Sequence, residues 1–195
     1  CEWKGVPLAP GPNAATVSTA GGKRRMSDSA VWNGPDVDRQ GLRIDVGSNA
    51  IRDLGGVRFG SDTFVTGGTP AVLNLAGFGG RSLGAPRKVD AASPALFDYW
   101  REGDRFSYAI PLPDGRWTVT LRLFEPRPGA AATAAVSVIA NGVKVIDGLN
   151  VKHAAGAPLK ELVRSFPVTV ENGKLALDFV ATDGKAALAA IELTR

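Results

Sequence analysis

Hydrophobic and polar residues alternate along several short segments of this chain from residue 42 onward. In residues 117–123 (WTVTLRL) the Trp, the Val and the two Leu take alternate positions, with Thr, Thr and Arg between them. Residues 42–46 and 175–179 repeat the alternation, and residues 188–193 resemble it. Because successive side chains of a strand point to opposite faces, this pattern predicts half-buried antiparallel strands.

Asn-Gly and Asp-Gly pairs separate the apolar segments. Such pairs supply the positive φ angles that tight turns need. They stand at residues 114–115, 141–142, 147–148, 172–173 and 183–184. Turns at this spacing predict tight hairpins in an all-β sandwich or barrel. Only residues 93–100 suggest a helix.

The composition is that of an ordinary globular protein. Hydrophobic residues make up 44% and charged residues 22% of the 195 residues, and no apolar run approaches the ~18 residues that a membrane span needs. The 23 basic residues nearly balance the 19 acidic ones, and the basic cluster at residues 23–25 is too short for a nucleic-acid footprint. We therefore expect neither a transmembrane segment nor a nucleic-acid partner.

The first forty residues differ from the rest because proline and glycine are dense in residues 6–13 and a Gly-Gly pair follows at 21–22. These residues predict an extended arm or linker (1–40) without regular structure, ahead of a β-sandwich (41–195). Trp3 and Trp32 are expected to dock on a neighbouring surface. Cys1, the sole cysteine, suits the lipid-bearing start of a bacterial lipoprotein, although a domain cut from a longer protein would look the same.

The residues that enzymes need are missing. His153 is the only histidine, which leaves no partner for a Ser-His-Asp triad or a histidine-based metal site. No nucleophile-elbow or Walker sequence occurs. Asp104 and Glu125 could face one another as a glycosidase pair must, but a strand-entry turn accounts for Asp104 and bonds to loop amides account for Glu125. We expect no catalysis, no metal and no cofactor.

Residues 99–101 carry the side chains of sugar binding. Sugars stack flat C–H faces on aromatic rings and present hydroxyl groups to planar donors and acceptors. Tyr99, Trp100 and Arg101 place two aromatic rings beside a guanidinium in a segment that precedes a strand. The alternative interpretation places Trp100 in the core and makes Arg101 a surface ion-pair partner.

Several stretches, in this order and spacing, resemble the malectin domain, also classed as carbohydrate-binding module family 57. The resemblance covers about residues 42–195, and the run from Phe106 to Pro126 is its most specific part. The stretches are Ile44–Ser48, Asp62–Gly68, Leu96–Gly103, Phe106–Gly115, Trp117–Pro126, Val136–Gly142 and Ala189–Leu193.

The resemblance implies a jelly-roll-like antiparallel β-sandwich that binds glucose-type disaccharides or related glycans in a shallow, loop-built cleft. It places Tyr99, Trp100 and Arg101 near a binding tyrosine of animal malectin, and it matches Asp183 to the aspartate of a late loop. Arg127 and Pro128 stand where animal malectin has an aromatic pair. Since a guanidinium binds a carboxylate through two parallel bonds, Arg127 suggests an acidic sugar.

Bacterial members of this family resemble appendages of secreted glycoside hydrolases. The chain is therefore expected to be a non-catalytic module that recognises an oligosaccharide or polysaccharide and supports a hydrolase, in a secreted or periplasmic location or as an outer-surface lipoprotein through Cys1. One alternative is a structural domain that packs against a catalytic partner without binding sugar. Another is a cell-surface protein–protein module.

Overall fold

The computed structural model describes residues 11–19, 27–34, 41–74, 87–127 and 135–195. The chain divides into two compact units, Cys1–Gly41 and Leu42–Arg195. Within these ranges the elements are antiparallel strands and two short helices, so the predicted all-β, sandwich-like class is confirmed. No helix within the described ranges is long and apolar enough to cross a membrane.

The strands are numbered in chain order. They are β1 (Gly11–Ser18), β2 (Ser27–Gly34), β3 (Leu42–Asp45), β4 (Arg52–Leu54), β5 (Val57–Phe59), β6 (Val65–Val72), β7 (Tyr99–Pro111), β8 (Gly115–Leu123), β9 (Ala135–Ala140), β10 (Val143–Asn150), β11 (Leu162–Val170), β12 (Lys174–Asp183) and β13 (Ala186–Thr194).

The first unit contains a two-stranded antiparallel ribbon in which β1 pairs with β2 from Gly11↔Gly34 to Ser18↔Ser27. The expectation of an arm without regular structure is therefore wrong for these residues. Proline is tolerated at Pro12 because each strand of a two-stranded ribbon has a free edge that needs no ladder donor. Trp32 lies in β2, and the docking predicted for its ring stays a prediction. Cys1 and Trp3 lie outside the described residues.

The second unit is built around one long strand, β7. Its C-terminal half pairs with β12, its residues Arg101–Gly103 pair with β13, and β6 runs along its other edge. The sheet order is β10-β9-β12-β7-β13-β8-β11, with β3 added to β13 and β6 added to β7. Strand β7 therefore connects β6 on one edge with β12 and β13 on the other. Its first residues, Tyr99–Arg101, pair with β6 near the start of the β13 pairing.

The Asn-Gly and Asp-Gly turns behave differently from the hairpin prediction. Asn141–Gly142 closes a true hairpin between β9 and β10. Turns 114–115, 172–173 and 183–184 instead connect strands that are not neighbours in the sheet. One strand lies between β7 and β8 and one between β12 and β13, and three strands lie between β11 and β12. Gly148 lies within β10 at a register shift, so its positive φ serves a bulge rather than a turn.

The core follows the predicted alternation in β8, where Trp117, Val119, Leu121 and Leu123 are buried. In β13 the alternation fails, because every residue from Ala186 to Ile191 is buried. This strand lies in the middle of the sheet with β7, β8 and β3 beside it, and its small alanines pack on both faces. The prediction of a half-buried strand at 188–193 is therefore wrong.

Helices are short. The segment predicted as helical at 93–100 forms only a 3-10 helix, Pro94–Phe97, because β7 begins at Tyr99. A helix that the sequence did not predict, α1 (Val151–Ala155), follows β10, and the Asn150 side chain caps it by accepting from the backbone N–H of His153. His153 is exposed on α1.

Candidate functional site

A cavity of about 440 Å³ lies where β6 and β7 meet the segment that follows β8. We call it the β6–β7 cleft. Its lining includes Pro70, Arg87, Trp100, Glu102, Pro126 and Arg127. Of the site residues predicted from the sequence, Trp100 and Arg127 converge here, although they are far apart in the chain.

Trp100 belongs to both the core and the cleft. Its side chain packs edge-on against Phe124, with the ring centroids 5.5 Å apart, and only 6% of the residue is exposed. Its indole Nε1 donates to Glu102 Oε2 at 3.1 Å. The alternative interpretation of Trp100 as a core residue therefore holds for most of the ring. The remaining edge and the bonded carboxylate face the cleft.

Arg127 is anchored at its base and open at its tip. Its backbone N–H and its Nε both donate to Glu125 Oε1, at 2.9 and 2.8 Å. Its NH1 lies 3.8 Å from Glu102 Oε2, and its NH2 donates to the Lys185 carbonyl at 3.4 Å. The side chain is 40% exposed. Glu125 holds its Nε, and the charged tip of the guanidinium faces the cleft.

Glu125, considered above as half of a glycosidase pair, is fully buried and acts as the anchor of Arg127. A carboxylate without accessible surface cannot contact a glycosidic bond. Asp104 lies exposed in β7. Across the ranges that the structure describes, no group of three His, Cys, Asp or Glu could hold a metal ion.

Arg101 is directed away from the cleft. Its Nε and NH2 contact Asp62 Oδ2 at 2.9 and 2.7 Å, and its NH1 donates to the carbonyls of Gly67 and Gly68 at 2.8 and 3.1 Å. Both carbonyls lie at the register shift of β6. Arg101 therefore fixes the bulge that leads to Pro70 and positions the rim of the cleft.

Asp62 completes this buried network. Its Oδ1 accepts the Tyr108 hydroxyl at 2.6 Å. Burial, together with the neighbouring Asp62 charge, raises the pKa of Tyr108, so the phenol remains a donor. The sequence resemblance included Asp62 only as part of a motif and assigned it no role.

Tyr99 lines a second cavity, of about 410 Å³, together with Ser48, Asn49, Arg52 and Asp98. The Arg52 guanidinium carbon lies 5.2 Å from the centre of the Tyr99 ring, within the range of a cation–π contact. We call this the Tyr99 cavity. Val72 lines both it and the β6–β7 cleft.

Arg52 is held by two carboxylates. Its NH1 contacts Asp45 Oδ2 and its NH2 contacts Asp98 Oδ2, both at 3.0 Å. Asp45 is completely buried, and its second oxygen has no hydrogen-bond partner among the described residues. Burial raises the pKa of Asp45 to about 6, against the opposing effect of Arg52. Asp45 thus holds Arg52 over Tyr99 at an electrostatic cost.

Asp183, the last predicted site residue, lies exposed at the end of β12 and lines neither cavity. The chain reaches the cleft two residues later, where the Lys185 carbonyl accepts from Arg127 and the Lys185 ammonium lies 3.9 Å from Glu102 Oε1. Pro128 lies outside the described residues.

Glu102 and Arg87 line the cleft but were missed from the sequence. Glu102 could have been found, because positions 100 and 102 of a strand share a face. Arg87 carries no local signal, since it reaches the cleft only through the long connection between β6 and β7. Its NH2 donates to the Leu73 carbonyl at 2.9 Å. The lining therefore carries two positive charges, from Arg87 and Arg127, and one negative charge, from Glu102.

Comparison with known proteins identifies the family of the chain. The sequence profile of the malectin domain matches residues 40–192. The chain belongs to the malectin domain family. Malectin domains are generally non-catalytic binding domains with a carbohydrate-binding type of fold. No curated protein sequence matches the chain significantly.

Solved structures share the malectin fold at low identity. A Bacteroides uniformis beta-glucuronidase is 16% identical with a TM-score of 0.63, over 97% of this chain and 23% of that chain. The plant receptor-like kinase FER is 12% identical with a TM-score of 0.59, over 87% of this chain and 55% of that chain. The ANXUR1 extracellular domain from Arabidopsis thaliana is 11% identical with a TM-score of 0.60, over 78% and 47%. This malectin chain thus spans about a quarter to a half of those proteins.

Proposed function

We propose that this malectin domain is a non-catalytic carbohydrate-binding module that holds a glycan in the β6–β7 cleft, with an acidic sugar unit against Arg127. The observation that carries the proposal is the convergence of an indole edge, a carboxylate and an anchored guanidinium in one open cavity. Indole and carboxylate are suited to the C–H and O–H groups of a sugar ring.

The preference for an acidic unit rests on Arg127. Its base is fixed by Glu125, so little side-chain entropy is lost when its tip binds a ligand. Glu125 contacts Nε, whereas at the tip Glu102 Oε2 lies 3.8 Å from NH1, beyond hydrogen-bond distance. A sugar carboxylate can therefore approach the guanidinium more closely than Glu102 does and form charge-assisted bonds.

A role beside a glycoside hydrolase is part of the same proposal. The match to 23% of a beta-glucuronidase chain is what one accessory domain of a multidomain enzyme would give. An attached module raises the local concentration of a polysaccharide at its enzyme without taking part in the chemistry. Such a pair would operate in a secreted or periplasmic setting.

The test compares matched acidic and neutral glycans. A glycan array first selects ligands, and calorimetry then measures the Kd of glucuronic-acid oligosaccharides and of neutral glucose oligosaccharides for the wild type and for Arg127→Gln. Loss of a charge-assisted contact worth about 1.5–3 kcal/mol weakens acidic ligands roughly 10- to 100-fold. Neutral ligands should change less than about threefold.

Arg164→Gln is the matched control, because Arg164 lies in β11 outside both cavities and its loss removes the same net charge. Equal loss of affinity in the two variants would mean that the protein attracts acidic glycans through overall charge. Equal affinity of the wild type for acidic and neutral glycans would end the acidic-sugar proposal.

A second candidate is a domain that packs against a catalytic partner and binds no sugar. The burial of all but 6% of Trp100 favours it, since little of that ring remains for stacking. If this candidate is correct, no glycan in the gel slows the protein in affinity electrophoresis. Truncation of Arg127 then changes only the association with the partner domain.

A further inference from the structure

Leu159 has an unusual backbone conformation behind the β6–β7 cleft. It lies in the loop 156–161, between α1 and β11, and its φ of +53° is in the left-handed region. A bulky residue rarely adopts this region, because its Cβ crowds the following carbonyl oxygen. Residues held in such a conformation cluster at functional sites, where surrounding contacts compensate for the strain. The contacts of Leu159 therefore indicate what its conformation does.

The main chain of Leu159 joins the two segments that carry the arginines of the cleft. Its N–H donates to the Glu125 carbonyl at 2.9 Å, and its carbonyl accepts from the Asp90 N–H at 2.8 Å. Arg127 lies just after Glu125 in the chain, and Arg87 lies just before Asp90. One residue thus connects the two walls of the cleft, and both of its main-chain groups are used.

Other contacts hold the loop in place independently of Leu159. The Glu161 N–H donates to the Asp90 carbonyl at 3.0 Å. The Glu161 side chain accepts from the Ala92 N–H through Oε2 and from Arg122 of β8 through Oε1. The loop therefore stays attached on both sides when residue 159 is changed, and the effect of the backbone conformation at that position can be tested by itself.

The left-handed conformation is what lets one residue bond both walls. With a negative φ and the N–H of Leu159 still on Glu125, the carbonyl would turn away from Asp90 and the second bond would be lost. The half-buried Leu159 side chain packs against the hydrophobic cluster that contains Trp100 and Phe124. Burial of this side chain offsets part of the backbone strain.

We propose that Leu159 is a positioning residue of the β6–β7 cleft: its left-handed backbone fixes the spacing between the wall that carries Arg127 and the wall that carries Arg87, and this spacing sets the affinity for an acidic glycan. The inference rests on the proposed glycan binding in the cleft. Leu159 does not line the cleft and acts only through the two segments that it joins. Walls that are not held in this way must be ordered by the ligand, which lowers its affinity.

Leu159→Gly and Leu159→Ala in the full chain form a matched pair. Both remove the apolar side chain, but glycine adopts a positive φ without strain and alanine does not. Hydrogen exchange followed by NMR measures the protection of the Asp90 amide. The Asn141 amide, which donates to the Ala176 carbonyl at 2.9 Å, is the reference for changes away from the cleft. Calorimetry measures the Kd of a glucuronic-acid oligosaccharide and of a neutral glucose oligosaccharide.

Relative to the Asn141 amide, the Asp90 amide should exchange about tenfold faster in Leu159→Ala than in Leu159→Gly, because alanine favours the negative φ that breaks the bond. The acidic oligosaccharide should bind Leu159→Gly within about threefold of the wild type, and Leu159→Ala about fivefold more weakly than Leu159→Gly. The neutral oligosaccharide should bind the two variants alike, since it makes no charged contact with the arginines.

Two outcomes would overturn the role of Leu159 alone, in a wild type that binds the acidic oligosaccharide. Equal exchange of the Asp90 amide in the two variants would show that Leu159 supplies only an apolar side chain. Faster exchange in Leu159→Ala without a loss of acidic affinity would show that this contact does not position the cleft. If the wild type binds no acidic or neutral glycan, the proposed function fails and the role of Leu159 in binding fails with it, whatever the exchange rates.

Discussion

Replacement of Asp45 by asparagine should remove a large pH dependence from the stability of the malectin unit. Asp45 is completely buried, with one oxygen on Arg52 and the other without a partner among the described residues. Asparagine keeps the shape of the protonated acid and cannot ionise. The variant therefore isolates the free energy of charging one buried carboxyl.

The magnitude follows from the pKa. Burial raises the pKa of Asp45 from 3.8 to about 6 in the folded protein. A carboxyl with a raised folded-state pKa stabilises the fold below its unfolded pKa, and this contribution is lost as the pH rises through the folded pKa. Two pKa units correspond to about 3 kcal/mol, lost between about pH 4 and pH 6.

Urea denaturation at a series of pH values measures this effect. The free energy of unfolding of the wild type, minus that of Asp45→Asn, should fall by about 3 kcal/mol between roughly pH 3.5 and pH 7.5. Asp104→Asn controls for the change in net charge, since Asp104 is exposed. A difference that stays constant with pH, or that grows as the pH rises, would refute the assignment of an electrostatic cost to Asp45.

Two further substitutions test how the fold positions the cleft. Gly47→Ala should destabilise the protein by roughly 3 kcal/mol or more in thermal denaturation, because Gly47 has a φ of +84° and an added Cβ would lie 2.3 Å from a backbone oxygen of β7. Gly55→Ala is the control, because Gly55 has a φ of +68° and open space where the Cβ would lie; it should destabilise the protein by only about 1–2 kcal/mol. Equal destabilisation by the two substitutions would show that the contact with the β7 backbone does not matter. Arg101→Lys should cost about 2 kcal/mol in urea denaturation, because an ammonium cannot replace the fork that joins a carboxylate and two carbonyls. Arg164→Lys in β11 should change stability by less than about 0.5 kcal/mol, and a similar small change for Arg101→Lys would show that the bulge needs no guanidinium.

Arg101 illustrates why residue type alone did not define the site. An arginine beside two aromatic residues is typical of a sugar site, and it is also typical of a buried ion pair. The structure decides between them because Asp62, 39 positions away in the chain, uses the donors that a ligand would need. Trp100 and Arg101 are neighbours in sequence, yet the alternation of the strand sends one toward the cleft and the other toward the β6 bulge.

Asp183 stays a predicted ligand-binding residue. The family pattern placed it in the site, and in the structure it lies exposed at the end of β12, outside both cavities. Lys185, which no motif included, contacts Arg127 and approaches Glu102 instead. The sequence alone does not show which residue of this loop contacts the side chains that line the cleft.

The sequence by itself determined the all-β class, the positions of most strands and the family of the chain. These properties depend on local causes: the two-residue period of a strand, the φ angles that glycine and asparagine permit, and the spacing of a long motif. The buried face of β8 was predictable in full for this reason.

Only the tertiary structure decided which strands pair, which turns are hairpins and which side chains share a cavity. Asp114–Gly115 and Asn141–Gly142 carry equivalent turn signals, but only the second closes a hairpin, because pairing depends on contacts between distant strands. For the same reason, each cavity is lined by an arginine from a distant part of the chain. Arg127 lines the cleft beside Trp100, and Arg52 lines the cavity beside Tyr99. Periodicity predicts the face of a strand, whereas the neighbours on that face are set by the packing of the whole chain.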